Sequence, residues 1–567
     1  MKDNMVVNKC GGYISKLILN DGSSININQN DIVVFVGPNN VGKSQTLKDI
    51  YGLCQDKVPT TIVKDVKIIK TGNNIFDYLE NISTINDYGN RKEYSGFGYS
   101  FNNHSINDYA RNAYYGSVRP IFVAYLDTMS RLGICQPASL LDRGMPKNHP
   151  IHFIINDSEC RKWISDQFRR SFGKDLIPFK LYGNSIPLCI GDNVILNGTY
   201  DNEEARQEAY AKILDTYDQV QNQGDGIKSF VGLLLYLMIK SFCTFLIDEP
   251  ESFLHPPQAN IMGRIIGETL KDNQQAFIST HSEEIIKGLL DACPERVKII
   301  RIKREEKQNK FAVLSNVGFL NIWNDPILRH TNIMSGIFHN EVVLCESDSD
   351  CKLYSIIDKH LKRKDGMYSE TLFIHSNGKH RMKNVIKALN TLGVNVGIIV
   401  DIDILAEKDT MERLCVSKGL SWDVISDDYS LVLSNIQGSE VKKERNEIKE
   451  KIEHILDQSE DRYVTKQEIN RIHDLLKNSR WKNIKENGIS ALPRGDARVS
   501  FDKMNKILQN SGIYIVPVGE LEGFVKEIGK HGPEWVNTLL EKYPDLDDEI
   551  YDDVKAFIST VCKYFDC

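Results

Sequence analysis

No Cys-x-x-Cys pair occurs in this sequence, although it holds 12 cysteines. They are scattered, so neither a zinc site nor a disulfide framework is expected, and a reducing cytoplasm fits. No apolar run is long enough to span a membrane. The longest, Val231 to Ile247, is broken by Lys240 and Ser241. The opening stretch MKDNMVVNKCGGY lacks an apolar core of the signal-peptide kind. An excess of positive charge is missing too. The net charge of −7 argues against a generally basic nucleic-acid coat. A local basic groove stays open, because binding follows the local field. There is no internal repeat and no low-complexity tract.

What is present reads as a soluble globular protein, with 41% hydrophobic and 26% charged residues. A chain of 567 residues is too long for one core, so two or more domains are expected. YISKLILN and SININ near the start alternate apolar and polar residues, as short strands do. A strand, a glycine-rich turn and a helix follow over 32–50. Residues 55–220 mix polar loops with strand-like pieces such as RPIFVAYL. An apolar helix is expected over 227–240, then the strands CTFLI and QAFIST separated by a helix near 257–270. VKIIRIKREEKQNKFAVLS reads as a hairpin closing a first domain. A second strand–helix alternation runs through EVVLC, TLFIHS, VGIIV and IYIVPV, which argues for a mostly parallel sheet. A helical segment interrupts it. There Ile448, Ile452 and Ile455 share one helix face, and the mixed charges around them form a solvated face.

Residues 37–44, GPNNVGKS, follow the apolar strand IVVFV and precede a helix. Gly37-x4-Gly42-Lys43-Ser44 is the pattern of a phosphate-binding loop. Its glycines let backbone N–H groups turn inward around phosphates, Lys43 reaches the β/γ-phosphates, and the Ser44 hydroxyl binds Mg2+. Asn39, Asn40 and Gln45 are further candidate ATP contacts. Asp248 ends the strand CTFLI and is placed to hold Mg2+ through water, while Glu249 is placed to orient or deprotonate the attacking water. His281 in STHS is a candidate γ-phosphate contact. GDGIKSF (224–230) opens a helix whose glycine-flanked N-terminus suits a γ-phosphate as well.

Further carboxylates follow the strands of the second half. Glu346 ends EVVLC, and Asp350 lies one helical turn later. Asp401 and Asp403 follow VGIIV as an Asp-x-Asp pair, with both side chains on one side of an extended chain. Glu520 and Glu522 in GELEG repeat that spacing after the last strand. A parallel sheet gathers its strand ends on one edge. Carboxylates crowded there repel one another unless a divalent ion such as Mg2+ or Mn2+ neutralises them. SNGKHRMK (376–383) is a short basic loop, and its Lys379, Arg381 and Lys383 are candidate contacts for substrate phosphates.

The loop, signature-like segment, Asp-Glu strand and switch histidine occur in the order seen in ATP-binding-cassette ATPases. Asp225 stands where that superfamily usually has serine. The resemblance implies a head-to-head homodimer or a higher oligomer, and the lack of a membrane span excludes a transporter. Glu346 and Asp401-x-Asp403 in a βαβ setting resemble a Toprim domain, with Ser347 at a position usually held by glycine. The two together resemble the OLD (overcoming lysogenization defect) family of nucleases. That implies an α/β chain: an ABC-type ATPase domain over 1–335, with an insertion at about 55–220, then a Toprim domain over 336–567, with a helical insertion at about 405–510. It further implies ATP with Mg2+, two divalent metal ions in the Toprim site, and phosphodiester hydrolysis of nucleic acid, DNA above all. A lysine near the metals is also implied; Lys526 and Lys530 are available, and Lys530 is the choice. Anti-phage defence follows from the same resemblance, and the branch favoured accompanies a retron reverse transcriptase and its branched DNA. A RecF- or SMC-like DNA-binding ATPase with a non-catalytic Toprim domain is the alternative. A topoisomerase would need a catalytic tyrosine context that none of the 23 tyrosines shows.

Overall fold

The computed structural model describes residues 10–565 apart from 73, 90, 143, 195, 197–198, 306–307, 315–331, 439–444, 459–462 and 477–479. The chain divides into two compact units, Met1–Leu320 and Asn321–Cys567.

In the first unit, β1 (Gly11–Leu19) pairs antiparallel with β2 (Ser24–Asn26) and β4 (Val63–Thr71). A six-stranded sheet lies beside them. It contains β3 (Ile32–Val36), β5 (Val123–Leu126), β6 (Thr244–Asp248), β7 (Gln275–Ser279), β8 (Val297–Glu305) and β9 (Gln308–Leu314), in the order β9-β8-β3-β7-β6-β5. All its pairings are parallel except β8–β9, the expected hairpin. Every residue of β3 is buried, which is why its sequence is apolar without alternation. The buried Gln275 side chain ties the two sheets together. It donates to Ile14 O (2.9 Å) and Asn28 O (2.7 Å) and accepts from Ile14 N (2.9 Å).

RPIFVAYL is not a single strand. Arg119–Phe122 is a helical turn, and β5 begins only at Val123. Pro120 explains the difference: its fixed φ and missing N–H suit the first turn of a helix. Three helices bear on the site: α1 (Lys43–Gln55), α2 (Thr128–Gly133) and α3 (Asp225–Leu237). The last stops short of Lys240, so the apolar stretch of the sequence is a helix followed by β6, and no described helix is long and apolar enough to cross a membrane.

The second unit holds a four-stranded, wholly parallel sheet. Its strands are β10 (Glu341–Cys345), β11 (Thr371–His375), β12 (Asn395–Val400) and β13 (Ile513–Ile515), in the order β11-β10-β12-β13. The flanking helices α4 (Asp348–Lys364), α5 (Lys379–Thr391) and α6 (Lys408–Ser417) each start near the C-terminal edge of this sheet. Between α6 and β13 lies a helical segment that includes α7 (Arg480–Asn487). Within it the helix Arg445–Leu456 half-buries Ile448, Ile452 and Ile455 on one face. Residues 440–444 and 459–461 of that expected helix lie outside the described residues. Trp535, Tyr354 and Val343 anchor the core beneath the sheet.

Candidate functional site

The first site forms where β3, β7 and β6 end side by side. The loop after β3 needs glycine at two positions. Gly37 sits at φ 139° and Gly42 at φ 91°. A Cβ on Gly37 would lie 2.3 Å from Ile302 O, and one on Gly42 would lie 2.2 Å from Ile62 Cδ1. Neither conformation nor space admits a side chain. Asn39 and Asn40 are exposed on the loop, and Asn40 adopts the left-handed conformation that asparagine tolerates. Lys43 is buried and donates to Gly37 O (2.9 Å) and Pro38 O (2.7 Å). Burial pulls its amine down to about 8, against the opposite pull of Glu249, Glu251 and Asp248. Ser44 is half-buried at the start of α1. Gln45 is committed to Asp49 (2.8 Å), whose other oxygen accepts from Ile62 N at 2.6 Å.

Asp248 ends β6 and accepts from the Ser279 hydroxyl at the end of β7. Glu249 follows at φ 46°, a strained value for a residue with a side chain. Its amide donates to Ser279 O (2.9 Å), and its carboxylate lies 3.7 Å from His281 Nε2. Burial, with Lys43 nearby, lowers the His281 pKa, so the ring is held neutral near pH 7. The structure thus brings the loop, Lys43, Asp248, Glu249 and His281 into one electrostatic neighbourhood. Asp225 opens α3 and pairs with Lys228 at 2.7 Å.

The second site forms on the C-terminal edge of the parallel sheet. Glu346 follows β10, and Asp401 follows the adjacent β12. Oxygens of Glu346, Asp401 and Asp403 lie within 4.8 Å of one another. The Asp401 amide donates to Glu346 Oε1 at 3.0 Å, fixing that carboxylate toward its neighbours. Burial pushes Glu346 up to about 7, with Asp403 and Asp350 adding repulsion. Burial likewise pushes Asp350 up to about 6, with Glu522 adding to it. Asp401 is raised well above the carboxylate range by burial and then by Glu346. Asp350 also closes a capping box with Ser347 at the start of α4. Glu520, Glu522 and His531 form a second group within 4.8 Å. Glu522 Oε1 accepts from Gly532 N at 2.7 Å.

These are half-buried hard-oxygen donors crowded together, which is the donor set a divalent cation such as Mg2+ takes. All six carboxylates of the sequence reading gather on this edge.

Two family descriptions match. One, an AAA ATPase domain, covers residues 193–286 and includes Asp248, Glu249 and His281. The other, the TOPRIM domain of overcoming lysogenization defect protein-like proteins, covers 337–403 and includes Glu346, Asp350, Asp401 and Asp403. The chain joins an AAA-type ATPase domain to an OLD-like Toprim domain. The Old nuclease of Escherichia phage P2 is 22% identical over 187 residues, 31% of this chain and 31% of that protein. An uncharacterized protein of Methanocaldococcus jannaschii is 36% identical over 69 residues, 12% of this chain and 60% of that protein. The chain therefore spans about a third of the first relative's length and 60% of the second's. A solved SMC head bound to the C-winged helix domain of ScpA aligns at 16% identity and a TM-score of 0.35, over 53% of this chain and 98% of that one.

Four residues of the ATPase–Toprim sites have no counterpart in the sequence reading, or a different role there. In the ATPase domain, fully buried Arg131 donates to Asp248 O (2.7 Å), Glu249 O (2.9 Å), Leu126 O (2.9 Å) and Ser229 Oγ (3.1 Å). Glu251 accepts from His281 N (2.7 Å) and Thr280 Oγ1 (2.8 Å), setting the switch histidine's backbone. Its position two residues after Glu249 was the available signal; Arg131 offered none. In the Toprim domain, Lys379 is an ion-pair partner of Asp403 (2.7 Å) and Glu407 (2.9 Å), rather than a side chain extended toward solvent. Lys485 of α7 reaches Glu520 (3.2 Å) and Asp403 (3.8 Å). Lys526 donates to Asn487 (2.8 Å), and Lys530 is exposed beside His531.

Proposed function

We propose that this chain is an ATP-controlled, divalent-metal-dependent nuclease acting on DNA. The observation that carries the reading is the half-buried cluster of Glu346, Asp401 and Asp403, in which the Glu346 and Asp401 carboxyls are held above their ordinary range. Such groups bind protons or a cation, and a perturbed cluster on a parallel-sheet edge is where chemistry concentrates. Glu346, Asp350, Asp401 and Asp403, with Glu520 or Glu522, would hold two Mg2+ or Mn2+ ions, which supply activated water and charge neutralisation when bound. The chain's own residues do the rest. The Asp401 amide orients Glu346, and Lys379 and Lys485 hold Asp403 in place and add positive charge where a phosphate would dock.

In the ATPase domain, Lys43 would engage the β/γ-phosphates, Ser44 and Asp248 the Mg2+, and Glu249 the attacking water. His281 would touch the γ-phosphate. Two copies meeting through the α3 ends would complete each ATP site, and the ATP state would set access to the Toprim carboxylates. Service in anti-phage defence, with a retron reverse transcriptase and its branched DNA as partners, rests on the family resemblance. Co-purification from cells carrying a retron tests it.

The nuclease test is direct. Purified protein is incubated with plasmid DNA and Mg2+ or Mn2+, with and without ATP, beside Lys43→Ala and Asp401→Ala. Wild type should cut, Asp401→Ala should not, and Lys43→Ala should lose the response to ATP. If wild type leaves every DNA and RNA intact, or Asp401→Ala cuts equally well, the reading fails. DNA binding without cutting would then favour the non-catalytic Toprim alternative.

A further inference from the structure

A groove of about 1050 Å3 runs between α5 and α6, with Lys383, Lys387 and Asn390 on one wall and Asp409, Glu412 and Arg413 on the other. Both helices start at the carboxylate site. Lys379, the first residue of α5, pairs with Asp403, and α6 begins just after Glu407. Lys379, Lys383 and Lys387 recur every fourth residue and so share a helix face. At ~1.5 Å rise per residue, Lys383 and Lys387 lie ~6 Å and ~12 Å along the axis from Lys379.

The composition of α5 is unusual for this chain. KHRMKNVIKALNT contains no acidic residue, although the protein carries a net charge of −7. Lys383, Lys387 and Arg413 are exposed, and none has an ion-pair partner among the described residues. The opposite wall is mixed. Asp409 and Glu412 line it, so an anion is favoured on the α5 side and disfavoured on the α6 side away from Arg413. Asn384, Asn390 and Thr391 add neutral hydrogen-bonding groups to the lining. A row of cations leading away from a cation-binding carboxylate cluster matches a polyanion whose one phosphate sits at the cluster.

We propose that the α5–α6 groove carries the phosphate backbone of the nucleic-acid strand leading away from the carboxylate site. This rests on the nuclease reading for its direction, but its readout is binding, which needs no cutting. The full-length protein is titrated against a fluorescein-labelled 30-nucleotide DNA, single-stranded and duplex. Fluorescence anisotropy is read at several salt concentrations without added metal. Lys383→Ala/Lys387→Ala/Arg413→Ala is compared with wild type and with a control of equal charge loss in the other unit, Lys174→Ala/Arg206→Ala/Lys212→Ala. The groove variant should bind ~10–100-fold more weakly near 0.1 M salt, and its slope of log K against log salt should fall by about 2–3, one per phosphate contact. Lys387→Glu alone should weaken binding further than Lys387→Ala. The control should match wild type. Unchanged affinity and slope in the groove variant, or equal loss in the control, overturns the groove. Should wild type bind DNA and the groove variant lose it while nothing is ever cut, the groove stands and the nuclease reading falls. Absence of any binding by wild type overturns the groove, while the nuclease reading stands or falls on the plasmid assay with metal.

Discussion

Arg131→Ala is expected to destabilise the first unit by about 3–5 kcal/mol, the range for removing one member of a buried charged network. The magnitude follows from its contacts. The guanidinium is wholly buried and donates to three carbonyls and one hydroxyl, at 2.7–3.1 Å. Hydrogen bonds from a charged donor contribute about 1.5–3 kcal/mol each, so four give roughly 6–12 kcal/mol before costs. Burying the cation opposes this, and it lowers the arginine's pKa despite the nearby Asp248, Glu251, Asp127 and Glu249. At about 2 °C per kcal/mol for a unit of this size, Tm should drop by about 6–10 °C. The functional effect should be separable. Glu249 is held at φ 46° by its own amide on Ser279 and its carbonyl on Arg131. Without Arg131 that peptide relaxes, and the Glu249 carboxylate leaves His281. ATP turnover should fall at least ~10-fold, while ATP binding, which rests on Lys43 and the loop, changes by less than ~3-fold, a pattern of lost transition-state contact. Arg131→Lys should recover part of the stability, because one ammonium cannot fork across three carbonyls. Calorimetry, nucleotide titration and phosphate release measure the three quantities. A variant with Tm within about 2 °C of wild type and unchanged turnover would refute the reasoning, since four buried bonds cannot vanish without consequence.

Asp401→Asn should remove repulsion from the carboxylate cluster, stabilising the metal-free protein at pH 8 while weakening Mn2+ binding at least ~100-fold; Mn2+-dependent Tm shifts would show both. The pH dependence has a definite sign. Glu346 near 7 and Asp350 near 6 hold protons that the unfolded chain has released, so metal-free stability should decline as pH rises from about 4 to 7. Mn2+ affinity should climb over the same window, and a flat profile in EDTA would contradict the burial argument. Among the lysines, Lys379→Ala and Lys485→Ala should each slow plasmid nicking at least ~10-fold. Lys530→Ala should have less than a ~3-fold effect, because its side chain is exposed; the reverse ranking would restore Lys530 to the centre.

Much of both sites was legible because it is written in contiguous backbone. The loop from Gly37 to Ser44 is one turn whose glycines are demanded by position, and Asp248, Glu346 and Asp401 each follow an apolar strand. A parallel sheet then brings strand ends together with no further information needed. Other features depend on partners far along the chain. Arg131 lies in a short helix 117 residues before Asp248, and a lone arginine in TMSRLG carries no local pattern. RPIFVAYL misled because its apolar composition suits either state, and only Pro120 marks the helical turn.

Lys485 is the more instructive case. Charge patterning alone reads the segment between β12 and β13 as solvated helices interrupting a fold, and for Arg445–Leu456 that holds, with only its isoleucine face half-buried. Yet α7, from the same segment, delivers an ammonium that spans Glu520 after β13 and Asp403 after β12. Those two carboxylates follow neighbouring strands, and both lie within 4 Å of the Lys485 ammonium. Without that cation the two like charges would face each other unscreened, which would degrade a metal-binding geometry. The insertion is therefore part of the site's electrostatics. Deleting it down to a short linker should loosen metal binding even if the four-stranded sheet folds unchanged, whereas a purely ornamental insertion would leave Mn2+ affinity as it was.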